Sequence, residues 1–235
     1  SVETIYPDFD IANSNKINCE SESFWWLVGR YLADGCTTSS RKHGHKTRIN
    51  FYVHPKDQEL VLDHINNLEV PYKIKERAHS SADEIAICSV PIAEWLLKYF
   101  GNRADGKTLP TFCFTMSERY RSSLLAGYIS GDGSEREHGK QQRKTSGSAS
   151  KKLTMGMGTI ATTLGYSVGY GVSEINVTEI MGVPLKKKAF DSYLLRMNKK
   201  GDRVDADDKF CNYKIRSVDK VEDQLVYNIV TEDHS

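Results

Sequence analysis

The chain has 235 residues, of which 39% are hydrophobic and 27% charged, so it can bury a core as one large domain or two small ones. No apolar run approaches the roughly 20 residues that a bilayer span needs, and the acidic start of the chain lacks the apolar stretch of a secretory signal. The five cysteines are scattered and include no CxxC pair, which argues against a disulfide scaffold or a zinc ribbon. We therefore expect a soluble, intracellular protein without membrane contact.

The net charge of +1 conceals strong local asymmetry. Residues 1–22 carry one lysine against five acids, whereas 134–152 hold six Lys or Arg against two Glu, and 186–203 hold seven against two Asp. Clustered positive charge on a neutral chain favours a directed phosphate-binding surface. Ordinary solvated faces are the alternative interpretation.

The first predicted helix contains the nonamer LVGRYLADG, Leu27–Gly35. Ser21 or Ser23 can begin a helix before Phe24, and a glycine ends it. In chain order there follow a hairpin whose second strand is 46–53, a helix over 57–68, strands at 72–78 and 84–90, and a helix over 91–101.

A second nonamer, LAGYISGDG, Leu125–Gly133, repeats the first 98 residues later. A capping box of Thr115 and Glu118 predicts a helix over 116–130. It is followed by a basic hairpin within 134–152, a helix over 153–165, strands at 166–172 and 174–180, and a helix over 185–197. Two further strand-like runs lie in the tail.

The repeat predicts an α+β fold of two pseudo-symmetric halves, each ordered helix, β-hairpin, helix, two strands, helix. We place an N-terminal extension at 1–20, the halves at 21–112 and 113–200, and a β-rich tail at 201–235. Small residues recur four apart in both nonamer helices, at Gly29 and Ala33 and at Gly127 and Gly131. Such a stripe predicts two helices whose backbones touch. The tryptophans at 25, 26 and 95 lie on predicted helices and are expected in the core.

Asp34 and Asp132 fall in the last turns of these helices, where the helix dipole disfavours a carboxylate. If the helices pack in parallel, the two acids converge and would repel unless a divalent cation binds there. All-oxygen ligation suits Mg²⁺, which takes one or two protein carboxylates beside waters and phosphate oxygens. The alternative is that both Asp-Gly pairs are simple helix-ending turns.

The two nonamers resemble the paired LAGLIDADG motifs of monomeric, two-motif homing endonucleases of the kind found inside inteins. The resemblance covers roughly 20–235. GKTLP, ending Lys107–Pro110, is similar to the Lys-x-Ile-Pro signature ahead of the second motif, and VYNIVTEDHS looks like an intein block. The N-terminal splicing cysteine block and the C-terminal His-Asn of inteins are not found, so we expect an endonuclease domain without self-splicing.

The resemblance implies site-specific hydrolysis of both strands of a long, asymmetric double-stranded DNA target by a monomer. Asp34 and Asp132, with Ala33 and Gly131 beside them, would hold Mg²⁺, for which Mn²⁺ can substitute. A metal-bound water attacks the phosphate in line. Lys107 matches the family lysine that orients water or stabilises the transition state, and Lys200 is the candidate for the second site.

The strands indicate a DNA-binding face independently of the resemblance. In 46–53, cationic and polar residues alternate with apolar ones, and the three cations of 72–78 share one face. Sheet faces of this kind can read bases in the major groove and hold phosphates. The predicted DNA contacts are Arg41, Lys46, Arg48, Asn50, Lys73, Lys75, Arg77, Arg136, Lys140, Gln142, Arg143 and Lys144.

Two rival functions stay open. The first is a LAGLIDADG-type protein that binds nucleic acid without cutting it, either an RNA maturase or a DNA-binding regulator. The second is an intein remnant without a nucleic-acid role, which the cationic alternation in 46–50 and 73–77 argues against.

Overall fold

A computed structural model describes residues 19–39, 46–77, 81–138, 141–175, 179–180, 183–184, 190–199, 205–206, 211–212 and 218. The chain divides into two compact units, Ser1–Gly201 and Asp202–Ser235. The second unit contributes one described antiparallel pair of strands, numbered last in the chain as β11 (Asp205–Ala206) and β12 (Cys211–Asn212). Within the described ranges, no helix has both the length and the apolar character needed to cross a bilayer.

The first half of the large unit forms a four-stranded antiparallel sheet packed on helices. Its strands are ordered β1-β2-β4-β3. A short 3-10 turn, Pro55–Asp57, precedes its second helix. The elements are α1 (Glu22–Asp34), β1 (Cys36–Ser39), β2 (Lys46–Val53), α2 (Gln58–Asn66), β3 (Tyr72–Lys75), β4 (Asp83–Ile87) and α3 (Val90–Phe100).

The second half repeats this topology. Its sheet is ordered β5-β6-β10-β7, so its strands follow the same path as those of the first sheet. The agreement confirms the predicted α+β fold of two pseudo-symmetric halves. The elements are α4 (Phe112–Thr115), α5 (Glu118–Asp132), β5 (Gly133–His138), β6 (Gln141–Ser148), α6 (Lys151–Thr163), β7 (Tyr166–Ile175), β8 (Glu179–Ile180), β9 (Val183–Pro184) and β10 (Phe190–Lys199).

The helix predicted over 185–197 is wrong from residue 190 onward, because that stretch forms strand β10. Leu195 and Met197 are fully buried while Arg196 between them is exposed, which is the alternation of a strand. The adjacent pair Leu194 and Leu195 gave the segment an apolar spacing that also fits a helix. The strand occupies the sheet position that β4 holds in the first half.

The helix starts were predicted with unequal success. Ser21 caps α1, and its hydroxyl oxygen accepts a hydrogen bond from the Ser23 N–H at 3.2 Å, as expected. The capping box at Thr115 is wrong, because Thr115 ends α4 and its hydroxyl donates to the Phe112 carbonyl. The longer helix α5 begins at Glu118 after Ser117, which makes no side-chain cap.

Helices α1 and α5 run parallel with their backbones in contact, as the small-residue stripe predicts. A Cβ added at Gly29 would collide with the Leu124 carbonyl oxygen, and one added at Gly127 would collide with the Trp26 carbonyl oxygen. Further along, Gly131 lies against Ala33. Aromatic residues fill the core around the first helix, including all three tryptophans, as expected. Because α1 and α5 are in contact as far as Ala33 and Gly131, their C-terminal ends lie side by side.

Candidate active site and nucleic-acid interface

Both motif helices end at an aspartate followed by a glycine that leads into the edge strand of a sheet. Gly35 and Gly133 have φ of −75° and −97°, so neither is the left-handed cap that glycine usually provides after a helix. Glycine is needed at both positions because there is no room for a side chain. A Cβ at Gly35 would lie 2.6 Å from the Cα of Tyr31, and one at Gly133 would lie 2.6 Å from a methyl carbon of Ile129. The chain thus turns tightly from each acid into β1 or β5.

The two carboxylates meet where the helices end. Asp34 leans across the partner helix, so that a Cβ added at Gly131 would lie 2.8 Å from Asp34 Oδ2. The pKa of Asp132 is raised to about 7, chiefly by burial and then by the charge of Asp34 and a hydrogen bond between the two carboxyls, against the opposing charges of Lys107 and Arg30. Above that pH, the site holds two adjacent negative charges at the negative ends of two helix dipoles.

This donor set fits a magnesium ion. In the part of the chain that the structure describes, no group of three or more His, Cys, Asp or Glu side chains converges. The protein therefore offers two carboxylates and nearby backbone carbonyls, and a cation with retained waters would complete its shell from solvent or phosphate. Asp34 and Asp132 bring two carboxyl groups into one partly buried space, a setting that a divalent cation would stabilise.

Lys107, which the resemblance to the Lys-x-Ile-Pro signature singled out, lies beside the acid pair. Its side chain is buried, and Nζ donates hydrogen bonds to the carbonyls of Tyr31 at 2.7 Å and Ala33 at 3.0 Å. Burial lowers the pKa of Lys107 to about 8, although Asp132 and Asp34 attract its charge. The Ala33 carbonyl, a predicted metal ligand, is thus already the acceptor of an ammonium group.

The loop that carries Lys107 is attached to both halves. Asn102 hydrogen-bonds the main chain of Thr37 twice, accepting from its N–H at 3.2 Å and donating to its carbonyl at 3.1 Å. The hydroxyl of Tyr31 donates to Gly101 O at 2.6 Å, and the hydroxyl of Ser150 donates to Lys107 O at 2.6 Å. These contacts fix Lys107 relative to both motif helices.

Sequence reasoning missed Arg30, which lies one turn before Asp34. Its Nη2 is 2.9 Å from Asp34 Oδ2, and its Nη1 donates to the carbonyl and the hydroxyl of Ser130 on α5. The side chain is only 5% exposed. The spacing of four between Arg30 and Asp34 was a signal for the ion pair. The contact across the helix pair had no such signal.

The first sheet has one apolar and one cationic face, as the alternation predicts. Ile49, Phe51 and Val53 are buried toward the helices. The residues on the other side form what we call the first cationic face, and its exposed cations are Arg48, Lys73, Lys75 and Arg77. The Arg77 guanidinium lies 5.3 Å from the centre of the Tyr52 ring on this face.

Two predicted DNA contacts are not on an exposed cationic face. Asn50 points to the expected side of the sheet but is only 4% exposed, with its amide near the Thr38 hydroxyl. Lys144 points to the helix side, because it pairs in register with buried Met197, and it forms an ion pair with Glu135 at 2.6 Å. Adjacent strand residues face opposite ways, which the prediction for 143–144 overlooked.

The second sheet presents a cationic face whose exposed cations, among the side chains that the structure describes, are Arg143 and Arg196. They border a depression of about 310 Å³ that Ser134, Thr145 and Leu194 complete. Arg196 was missed because its segment was predicted to be a helix. Several predicted contacts cannot be placed on either face: Arg41, Lys140 and Lys200 lie outside the described residues, and for Lys46, Arg136 and Gln142 only the strand backbone is described.

Comparison with known sequences gives distant relatives. The chain is 23% identical over 132 residues to a DNA polymerase of Thermococcus hydrothermalis, covering 55% of this chain and 8% of the polymerase. It is 25% identical over 151 residues to the ATP-dependent DNA helicase Hel308 of Thermococcus kodakarensis, covering 60% of this chain and 13% of the helicase. The chain thus spans only about a tenth of the length of these relatives. No protein-family model matches it.

Solved structures give weak similarity over most of the chain. The structure of I-DmoI in complex with DNA and Mn aligns with a TM-score of 0.47 and 13% identity, covering 75% of this chain and 89% of that one. The N-terminal LAGLIDADG domain of DUF199/WhiA aligns with a TM-score of 0.45 and 14% identity, covering 80% of each chain.

Proposed function

We propose that the protein is a LAGLIDADG-type endonuclease that hydrolyses both strands of a long, asymmetric double-stranded DNA target with Mg²⁺, or with Mn²⁺ in its place. The observation that carries the proposal is the meeting of Asp34 and Asp132 at the adjoining ends of two parallel helices, beside the buried ammonium of Lys107. Simple helix-ending turns would not require two acids to share one partly buried space.

The acids and the lysine divide the chemistry between them. A divalent cation supplies Lewis acidity and an activated water when it is bound. Asp34 and Asp132 are the carboxylates that would hold it, and their excess negative charge favours its binding. Lys107 brings a positive charge toward a phosphate at the same place, where it can stabilise the charge that develops on the phosphate oxygens. Because burial lowers its pKa to about 8, Lys107 can also exchange a proton near neutral pH.

The two cationic faces would bind the DNA on either side of the acid pair. Strands in the major groove let Arg and Lys reach guanine edges, and the remaining cations would hold phosphates. The two halves differ in sequence at these faces, which favours an asymmetric target bound by a monomer. Arg41, Lys46, Arg136, Lys140 and Gln142 stay proposed contacts.

The two relatives also support an intein-associated origin. A DNA polymerase and a DNA helicase do different work, yet each matches this chain over a small share of its own length. An element inserted into different host proteins would produce this pattern. We propose that the chain is such an element, of the intein-endonuclease type.

The test is cleavage of a randomised double-stranded DNA library, with cut ends recovered by ligation and sequenced. We expect the wild-type protein to yield discrete cut sites with Mg²⁺ and none with EDTA. Asp34→Asn and Asp132→Asn should lose cleavage and keep DNA binding in a gel-shift assay. Asp63→Asn, an exposed aspartate on α2, is the matched control and should cut normally.

The result that would overturn the proposal is a wild-type protein that binds duplex DNA but cuts it with neither Mg²⁺ nor Mn²⁺. A DNA-binding regulator would then be the better interpretation. Preferential binding of structured RNA under the same conditions would favour an RNA maturase instead.

A further inference from the structure

The two nonamers differ in charge at their fourth position, where α1 has Arg30 and α5 has Tyr128. Both side chains are buried. The phenol of Tyr128 brings no charge to the acids, whereas Arg30 places a guanidinium among them. The backbones of α1 and α5 are therefore pseudo-symmetric, but the charges that the two helices bring to the acids are not.

Arg30 leaves Asp34 and Asp132 in unequal states. One oxygen of Asp34 is 2.9 Å from Nη2 of Arg30, so part of its charge is already compensated. The second terminal nitrogen of the guanidinium, Nη1, donates to the hydroxyl of Ser130, and that hydroxyl in turn donates to the Gly127 carbonyl at 2.7 Å. Among the described residues, no cation lies within ion-pairing distance of Asp132, although the charges of Lys107 and Arg30 act on it from further away.

The fork of Arg30 also fixes where the Asp34 carboxylate lies. The guanidinium is planar and rigid, and it spans from Asp34 on one helix to Ser130 on the other. Asp34 Oδ2 is consequently held over Gly131, where any side chain would displace it.

We propose that Arg30 is a positioning residue that makes the two acids unequal toward divalent cations, leaving Asp132 as the stronger ligand and Asp34 as a weaker one that is already partly neutralised. The inference rests on the proposed metal-dependent function of the site. Arg30 acts through Asp34 and does not itself contact the metal or the DNA.

The test is Mn²⁺ binding by the protein without DNA, measured by calorimetry and by the electron paramagnetic resonance signal of free Mn²⁺. Arg30→Met should raise the affinity for Mn²⁺ roughly tenfold, which is the effect of removing one unit charge about 6 Å from a divalent ion even at the dielectric constant of water. Arg30→Lys keeps the charge and should stay near the wild-type affinity. Arg121→Met is the matched control, because Arg121 lies on α5 and donates to Phe114 O, away from the acids.

The outcomes separate the inference from the function it rests on. A wild-type protein that binds no Mn²⁺ would overturn both. Wild-type binding with an unchanged or lower affinity in Arg30→Met would overturn only the role of Arg30, provided that circular dichroism shows the variant folded. Equal gains in Arg30→Met and Arg30→Lys would also overturn it, since charge could not then be the cause. An unfolded Arg30→Met would leave the decision to Arg30→Gln, a neutral side chain that can still donate hydrogen bonds, for which a roughly tenfold gain in affinity supports the inference and an unchanged affinity refutes it.

Discussion

The contact between α1 and α5 yields a sharp prediction, because it joins backbone to backbone. In Gly127→Ala, the new methyl group would lie 2.7 Å from the carbonyl carbon and 3.0 Å from the Cα of Trp26, besides colliding with its carbonyl oxygen. Restoring an ordinary carbon–carbon contact requires the helices to part by about 1 Å. The colliding atoms belong to a helix backbone, so no side-chain rotation can relieve the contact.

The magnitude follows from two opposing effects. Overpacking a core costs roughly 1–3 kcal/mol, and the upper part of that range applies where backbone must move. Alanine is better than glycine inside a helix by about 1 kcal/mol, which offsets part of the cost. We expect Gly127→Ala to lower the free energy of unfolding by about 2 kcal/mol, or the melting temperature by about 4–8 °C.

Urea denaturation with a constant m value measures the change. Gly156→Ala is the matched control, since this helical glycine faces only the flexible side chain of Leu109, at 3.0 Å or more from an added Cβ. That substitution should stay within about 1 kcal/mol of the wild type. Equal stability of the two variants would refute the reasoning that the motif helices touch through their backbones.

Three further predictions concern the acids, the DNA surface and the lysine loop. Because the pKa of Asp132 rises from 3.8 to about 7 on folding, its neutral form stabilises the folded state fully below its unfolded pKa, and that stabilisation is lost as pH rises through about 7. Denaturation in EDTA should therefore show a fall in stability between about pH 4 and about pH 7, and Asp132→Asn should reduce the fall; an unchanged fall would contradict the shift. Arg196→Gln should weaken DNA binding and reduce the dependence of log K on log salt by about 1, whereas Lys144→Gln, on the helix side, should leave the slope unchanged in a fluorescence titration. Asn102→Ala should slow cleavage without weakening DNA binding, because the loop that carries the lysine loses two hydrogen bonds; Asn67→Ala, whose amide bonds a serine remote from the acids, should cleave normally in the same assay.

Much of the architecture could be predicted because the sequence contains an internal repeat, so that each half could be compared with the other. Two copies of one nonamer identified the acids, the small residues of the helix contact and the repeated order of elements. Strict alternation in 46–53 correctly separated the buried face of β2 from its exposed face. These signals are local, and each depends only on spacing along the chain.

The remainder depends on contacts that spacing does not record. Arg30 meets Ser130 across 100 residues, and Asn50 is buried on a face that alternation would leave exposed. The strand β10 was misread because its two neighbouring leucines face opposite sides of a sheet, a fact that only its pairing with β6 and β7 reveals. Local pattern could not decide among these alternatives, since tertiary packing overrides propensity.

The backbone contact between α1 and α5 has a consequence for how the sequence of such a protein can diverge. Glycine and backbone hold the two halves together, so side chains elsewhere can be exchanged without moving the acids relative to each other. Under the proposed function, mutations on the sheets can change which DNA is bound while the geometry of the acids is inherited intact. Substitutions at Gly29 or Gly127 have the opposite effect, since they would disturb every target at once. The residues that fix the positions of the two acids are thus separate from the sheet residues that are free to vary.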